Sequence, residues 1–308
     1  MEQLCIGVDL GGTSIKMGIF SADAKLLKKW EIPTDTSNKG ENIIKDIAKS
    51  IKKELKASDL SLMDCIGIGM GVPGPVLKSG YVKVCVNLGW KDVYPGRELS
   101  DILGGIAVYL GNDANVAALG ESWQGAAKDT QDTVLVTIGT GVGSGIIIDG
   151  KIVVGRHGLA GEIGHIVIHG SGESCSCGNV GCLERYASTT ALVRSVSKLQ
   201  KENPTAFPKD FEENINGRKI FDALHENSLL RQAVDNWVDD ISLGIISLVH
   251  IFNPEQVIIG GGVSGRKEFI ESLSKKVHEK VMPRFSEGLE IVPAKLGNDA
   301  GLIGAIYY

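Results

Sequence analysis

The chain has 308 residues, enough for two domains with sizeable cores. Its 43% hydrophobic and 22% charged content is ordinary for a globular protein, and a net charge of −5 gives no electrostatic footprint for nucleic acid. No apolar run reaches the roughly 20 residues a membrane helix needs, and MEQLCIGVDLGG at the start shows no basic segment or cleavage site, so the expected location is cytoplasmic, with reduced thiols.

Leu4 to Asp9 reads as an apolar strand running into Gly11-Gly12-Thr13. Ile15 to Phe20 and Leu26 to Ile32 follow as strands, separated by the polar turn Ser21 to Ala24. Ile43, Ile44, Ile47, Ala48, Ile51 and Leu55 recur at helical spacing. A buried-type strand, Cys65 to Gly71, leads into Val72-Pro73-Gly74-Pro75, and Gly111-Asn112-Asp113 precedes a helical run, Ala114 to Trp123. The opening pattern then returns. Val134 to Ile138 enters the glycine-rich loop Gly139 to Gly145, Ile146 to Ile148 is a second strand, Asp149-Gly150 marks a hairpin, and Lys151 to Val154 begins a third. Two such copies predict a duplicated α/β fold with a cleft between its halves, against the alternative of two unrelated hairpins. Downstream, Leu229 to Phe252 reads as a long helix, Gln256 to Ile259 as a strand opening into Gly260-Gly261-Gly262, and a helix starts near Lys267. Gly301 to Tyr308 is apolar at helical spacing and is expected to pack on the N-terminal half.

The chemistry concentrates in a few places. His165, Cys175, Cys177 and Cys182 form an H-x9-C-x-C-x4-C set, one imidazole and three thiolates. That is a complete tetrahedral shell for zinc with no position for water, hence a structural metal. Buried small hydrophobes or a disulfide are the alternatives, and the Ser, Gly and Asn neighbours argue for loop chemistry. Cys5, Cys65 and Cys85 lie among apolar residues and read as core. The three glycine turns each follow a strand and suit anion-binding nests. None has the spacing of a Walker loop or a dinucleotide fingerprint. Asp9 suits a water-mediated Mg²⁺ contact or, equally, an Asx turn. Asp113 is either a helix N-cap or a carboxylate able to accept a hydroxyl proton. Glu162 and Glu184 bracket the cysteine loop, which suggests a binding site for a ligand rich in hydroxyls.

Together DLGGT at 9–13, NLGW at 87–90, GNDAN at 111–115, GTGVGSG at 139–145, AGEIGH at 160–165, CSCGNVGCLE at 175–184 and IIGGGV at 258–263 resemble the ROK family of bacterial sugar kinases and repressors. The resemblance spans essentially the whole chain. It implies an actin-like ATPase (ribonuclease H-like) fold of two α/β domains, residues 1–112 plus 295–308 and residues 113–294, that close on ATP and a sugar. It also implies Asp113 as general base, and Gly74, Asn87, Asn112, Glu162, His165 and Glu184 as sugar-binding residues. Asp9, Gly11, Gly12, Thr13, Lys16, Gly139, Thr140, Gly141, Gly260, Gly261 and Gly262 would hold ATP and its Mg²⁺, and His165, Cys175, Cys177 and Cys182 a structural Zn²⁺. Ser144 departs from the Gly or Ala frequent in the family. Within the family the chain is most similar to kinases acting on glucose, with N-acetylmannosamine, fructose or allose as alternative substrates. A repressor would carry a winged helix-turn-helix ahead of the first strand. That strand begins at Leu4, so an enzyme is expected over a repressor or a non-catalytic sugar-binding protein. A homodimer or homotetramer is implied, with no nucleic-acid or membrane partner.

Overall fold

A computed structural model describes residues 3–208, 211 and 213–308. The first half opens with β1 (Leu4–Leu10), β2 (Ser14–Ser21) and β3 (Leu26–Pro33), an antiparallel meander because the turns between them are short. Helix α1 (Ile43–Ala57) buries all six of its spaced apolar positions. β4 (Cys65–Val72) returns parallel to β1. A separate hairpin of β5 (Val82–Cys85) and β6 (Trp90–Val93) follows, then α2 (Pro95–Ile102) and β7 (Val108–Asn112), parallel to β4. α3 (Asp113–Gln124) leads into the second half.

There β8 (Thr133–Ile138), β9 (Val142–Ile148) and β10 (Lys151–Ile152) form another antiparallel meander. Four helices come next, α4 (Glu184–Ala187), α5 (Thr189–Glu202), α6 (Gly217–Asp222) and α7 (Ser228–Phe252). The chain continues through β11 (Gln256–Gly260), α8 (Lys267–Lys280), α9 (Pro283–Ser286), β12 (Glu290–Pro293) and α10 (Ala300–Tyr307). The sheet orders are β3-β2-β1-β4-β7 and β10-β9-β8-β11-β12. In both, the first strand pairs antiparallel with the second and parallel with the fourth. The duplication read from the sequence is a duplication of topology.

One strand starts earlier than its glycines suggest. β9 begins at Val142, inside the run expected to be loop. A Cβ at Gly145 would come within 2.4 Å of the Ala118 Cβ and 2.8 Å of the Ala114 carbonyl oxygen. Glycine is there so that α3 can lie directly on the strand, which is a packing demand and not a loop signal. β10 is likewise two residues long, ending at Ile152 and not Val154.

Each sheet has its own core. Ile6, Val8, Ile15, Met17, Ile47 and Ile51 pack in the first, and Val134, Val136, Trp237, Ile241, Ile245 and Val257 in the second. α3 joins them: it continues from β7, yet its Ala118 and Leu119 pack with Leu135, Ile147 and Ile258 of the second sheet. α10 is seated at backbone contact, because a Cβ at Gly69 would lie 1.7 Å from the Ala305 carbonyl oxygen and one at Gly304 would lie 1.7 Å from that of Val116. Near the far end of α3, fully buried Glu121 accepts hydrogen bonds from the backbone N–H groups of Ala126 (2.8 Å), Lys295 (3.1 Å) and Leu296 (2.8 Å). Three donors compensate the buried carboxylate and fasten the approach to α10 onto α3. Among the described residues no helix is long and apolar enough to cross a membrane.

Candidate active site

β7 hands over to α3 at the carboxyl end of a parallel strand, the usual place for ligands in α/β sheets. Asn112 is the last extended residue, and its Oδ1 accepts from the N–H groups of Ala114 (3.0 Å) and Asn115 (3.1 Å). The cap is therefore Asn112, and the alternative of Asp113 as a capping residue only is corrected. Asn112 Nδ2 donates to the Gly74 carbonyl at 3.2 Å, tying down the proline loop. Asp113 is the first helical residue, and its carboxylate accepts from the Ala114 N–H at 2.8 Å. Burial pushes Asp113 up to about 6; that N–H opposes the shift, while repulsion from Asp9 and Glu162 adds to it.

Asp113 lines a cavity of about 420 Å³ between the two halves. Gly74, Asn87 and Asn112 line it from the first half and Glu162 and Glu184 from the second, with Gly139, Gly141 and Gly261 contributing glycine backbone. Glu184, the first residue of α4, has Oε2 fixed by the Val142 N–H at 3.0 Å. Carboxylates and amides on several sides suit a polyhydroxylated ligand, and bare glycine backbone suits an anion.

Asp9, Gly11, Gly12, Thr13, Lys16, Thr140, Gly260 and Gly262, also singled out in the sequence, are not among the residues that line this cavity. Asp9 faces Lys16 across the β1–β2 register, with Nζ 3.7 Å from Oδ2. It is a strand residue, which removes the Asx-turn reading. Burial raises Asp9 above the usual carboxylate range and Lys16 pulls it back. Gly11 N–H bonds to the Ser14 carbonyl, the Thr13 carbonyl accepts from the Thr34 N–H, and a Cβ at Gly12 would be 3.8 Å from the Asn87 Cβ. The Thr140 carbonyl accepts from the Thr190 hydroxyl at 2.8 Å. Gly260 ends β11, and Gly262 borders a second cavity of about 320 Å³ with Thr189, Asn216, Arg218 and Phe221. Those four were not identified from sequence, nor was Thr137 on the first cavity. Asn216, Arg218 and Phe221 come from α6 and its N-cap and Thr189 from the start of α5, whereas Thr137 lies on β8, and no motif spacing links the three segments.

Behind Glu162 and Glu184 sits the cysteine loop. The ligand atoms of His165, Cys175, Cys177 and Cys182 all lie within 4.8 Å of one another. His165 Nδ1 is 3.6 Å from Cys175 Sγ, and Cys177 Sγ is 3.6 Å from Cys182 Sγ. Tetrahedral zinc, with bonds of about 2.3 Å to sulfur and 2.0 Å to nitrogen, places donors about 3.5–3.8 Å apart. The donor set fits. Backbone hydrogen bonding from Cys177 draws Cys175 down to about 6, while burial pushes Cys182 up to about 12. A bound dication would ionise all three thiols and remove that conflict. His165 itself does not line the 420 Å³ cavity.

One smaller expectation changes. Cys85 is buried, its thiol donating to the Pro73 carbonyl at 2.7 Å, but Cys5 and Cys65 are only half-buried. Close to the cysteine loop, His169 pairs with Asp240 at 2.8 Å.

Duplicated sheets closing on a glycine-edged, carboxylate-lined cleft define an actin-like ATPase fold. The chain belongs to the ROK family, whose pattern matches residues 5–308. It is 38% identical to a glucokinase of Halalkalibacterium halodurans, over 98% of this chain and 94% of that one. It is 34% identical to a xylose repressor of Caldicellulosiruptor bescii, over 98% of this chain and 76% of the repressor. Among solved structures it resembles a ROK family glucokinase from Streptomyces griseus in complex with glucose and AMPPNP, at TM-score 0.79 and 30% identity, covering 99% and 98% of the two chains.

Proposed function

We propose that this chain transfers the γ-phosphoryl group of ATP to the 6-hydroxyl of glucose, with Asp113 as general base. The observation that carries the reading is a carboxylate pushed up to about 6 at the start of a helix, inside a cavity shared by acidic side chains and glycine turns. A base poised near neutral pH accepts the hydroxyl proton as the oxygen attacks phosphorus. Glucose and AMPPNP in the similar Streptomyces griseus structure support the two ligands.

In this reading Gly74, Asn87, Asn112, Glu162 and Glu184 hold the sugar hydroxyls, and His165 joins them. With Nδ1 directed at the cysteines, Nε2 is the atom left for a hydroxyl. Gly11, Gly12, Thr13, Gly139, Thr140 and Gly141 face the phosphates, and Gly260, Gly261 and Gly262 lead toward the nucleoside. Lys16 would offset phosphate charge, and Asp9 would hold Mg²⁺ through water, an ion that supplies charge neutralisation at the phosphates when bound. His165, Cys175, Cys177 and Cys182 hold Zn²⁺, which supplies a crosslink that fixes the backbone on either side of Glu162 and Glu184. Residues 1–112 with 295–308 and residues 113–294 are the two bodies that close over the ligands and exclude water. Assembly as a homodimer or homotetramer in the cytoplasm completes the proposal.

A coupled assay with ATP over a panel of hexoses tests it. Glucose should give the highest kcat/KM. Preference for N-acetylmannosamine, fructose or allose would reassign the substrate. The similarity to a xylose repressor favours a second reading, a sugar-sensing regulator, which requires sugar binding without turnover on any hexose.

A further inference from the structure

Glu162 occupies an unusual backbone position. At φ −73° and ψ 54° it is the central residue of an inverse γ-turn, closed by the Ile163 N–H on the Gly161 carbonyl at 2.7 Å. The same carbonyl accepts a second hydrogen bond, from the Ser144 hydroxyl at 2.5 Å. Ser144 lies within β9, is 3% exposed, and borders the same cavity as Glu162. Beyond the turn, the His165 N–H bonds to the Glu162 carbonyl at 3.1 Å and closes a single 3₁₀ turn, Ile163–His165. One hydroxyl thus grips the oxygen around which the chain bends. On one side of that bend is the Glu162 carboxylate, on the other the imidazole facing the cysteines.

We infer that Ser144 is a positioning residue for the sugar site, acting through the Gly161 carbonyl to aim Glu162. The inference rests on the kinase reading for what fills the cavity. The physical case is that a γ-turn is closed by one bent hydrogen bond and is weak alone. A carbonyl oxygen has two lone pairs, and here a buried hydroxyl takes the second. The Ser144 backbone is already held by its pairing with Val136, so the side chain is not needed to keep the strand. Gly161 sits at φ +88°, where only glycine is unstrained, so the bend depends on what is bonded to it. Alanine at 144 leaves the strand intact and the turn with one bond, and Glu162 then samples other directions.

The test is a double-mutant cycle of Ser144→Ala and Glu162→Gln, assayed on whichever hexose the wild type turns over fastest. Ser144→Ala should raise the hexose KM roughly 3- to 10-fold, the effect of one lost neutral hydrogen bond, with a smaller change in kcat and none in the KM for ATP. In the Glu162→Gln background the same substitution should change the hexose KM less than about twofold, because the two act as one unit. An unchanged KM, a parallel loss of kcat and ATP affinity, or additive effects overturns the inference. A wrong substrate shows in the wild-type panel, whereas a wrong role for Ser144 shows only in these ratios. Should the wild type turn over no hexose, calorimetric Kd values for glucose give the same comparison.

Discussion

Asn112 and Asp113, adjacent in sequence, divide two tasks that one carboxylate would otherwise perform. Asn112 satisfies the helix start through its Oδ1, and Asp113, beside the cavity, accepts from the Ala114 N–H. A carboxylate accepting several N–H groups is held well below its usual range. Burial prevails over the opposing N–H groups of Ala114 and of Asp113 itself, and Asp113 moves up to about 6.

Replacing Asp113 by Asn should lower kcat by ~10²–10⁴-fold, the usual worth of a positioned base. Glucose affinity, measured by calorimetry, should stay within a few-fold of wild type. Undiminished turnover would leave Asp113 with no proton to take.

The same shift has a signature in stability. A carboxyl raised in the folded state stabilises the fold fully below its unfolded value of about 4, and that contribution is lost as pH climbs through about 6. Asp113→Asn should therefore be more stable than wild type by about 3 kcal/mol at pH 7.5 and by only about 1 kcal/mol at pH 4.5. Urea titrations at the two values check this. Activity runs the other way, with kcat/KM rising through pH 6 as the base ionises.

Purified protein should carry about one zinc per chain. Cys177 is the exposed cysteine of the four-residue set, so Cys177→Ser would remove a metal contact with little change to the core. We expect Cys177→Ser or a strong chelator to lower Tm by several degrees and to raise the glucose KM at least ~10-fold, the scale of losses seen on disturbing a metal site's supports. A metal-free preparation with wild-type kinetics would remove zinc from the account.

Gly304→Ala pushes a methyl into the Val116 carbonyl. Neither helix backbone can yield cheaply, so a loss of ~2 kcal/mol or more is expected by urea unfolding. Unaltered stability would mean that α10 is not seated against α3 at backbone contact.

The duplicated halves were legible because Gly11-Gly12-Thr13, Asp149-Gly150 and the glycines after β8 punctuate clean apolar strands. Residues 77–110 were not. β5 and β6 are four residues each, too short for a period to show, and β12 owes its identity to pairing with β11. Asp113 stood out because it precedes a helical run, and Glu162 and Glu184 because they bracket the cysteine loop. Thr189 meets Asn216 and Arg218, at the start of α6, only through folding. Ser144 was visible as a departure from a family pattern, but its hydrogen bond to Gly161 depends on two segments whose proximity no local periodicity reports.

Residues 300–307 lie against β1 and β4, where Gly7 and Gly69 leave room for them. A nascent chain therefore emerges from the ribosome with the first sheet bare on one flank, and stays so until the whole second half has followed. Topology of this kind delays native pairing and lengthens exposure of apolar surface. Yield at high expression should consequently respond to temperature and chaperone supply more than the modest charge and ordinary composition would imply.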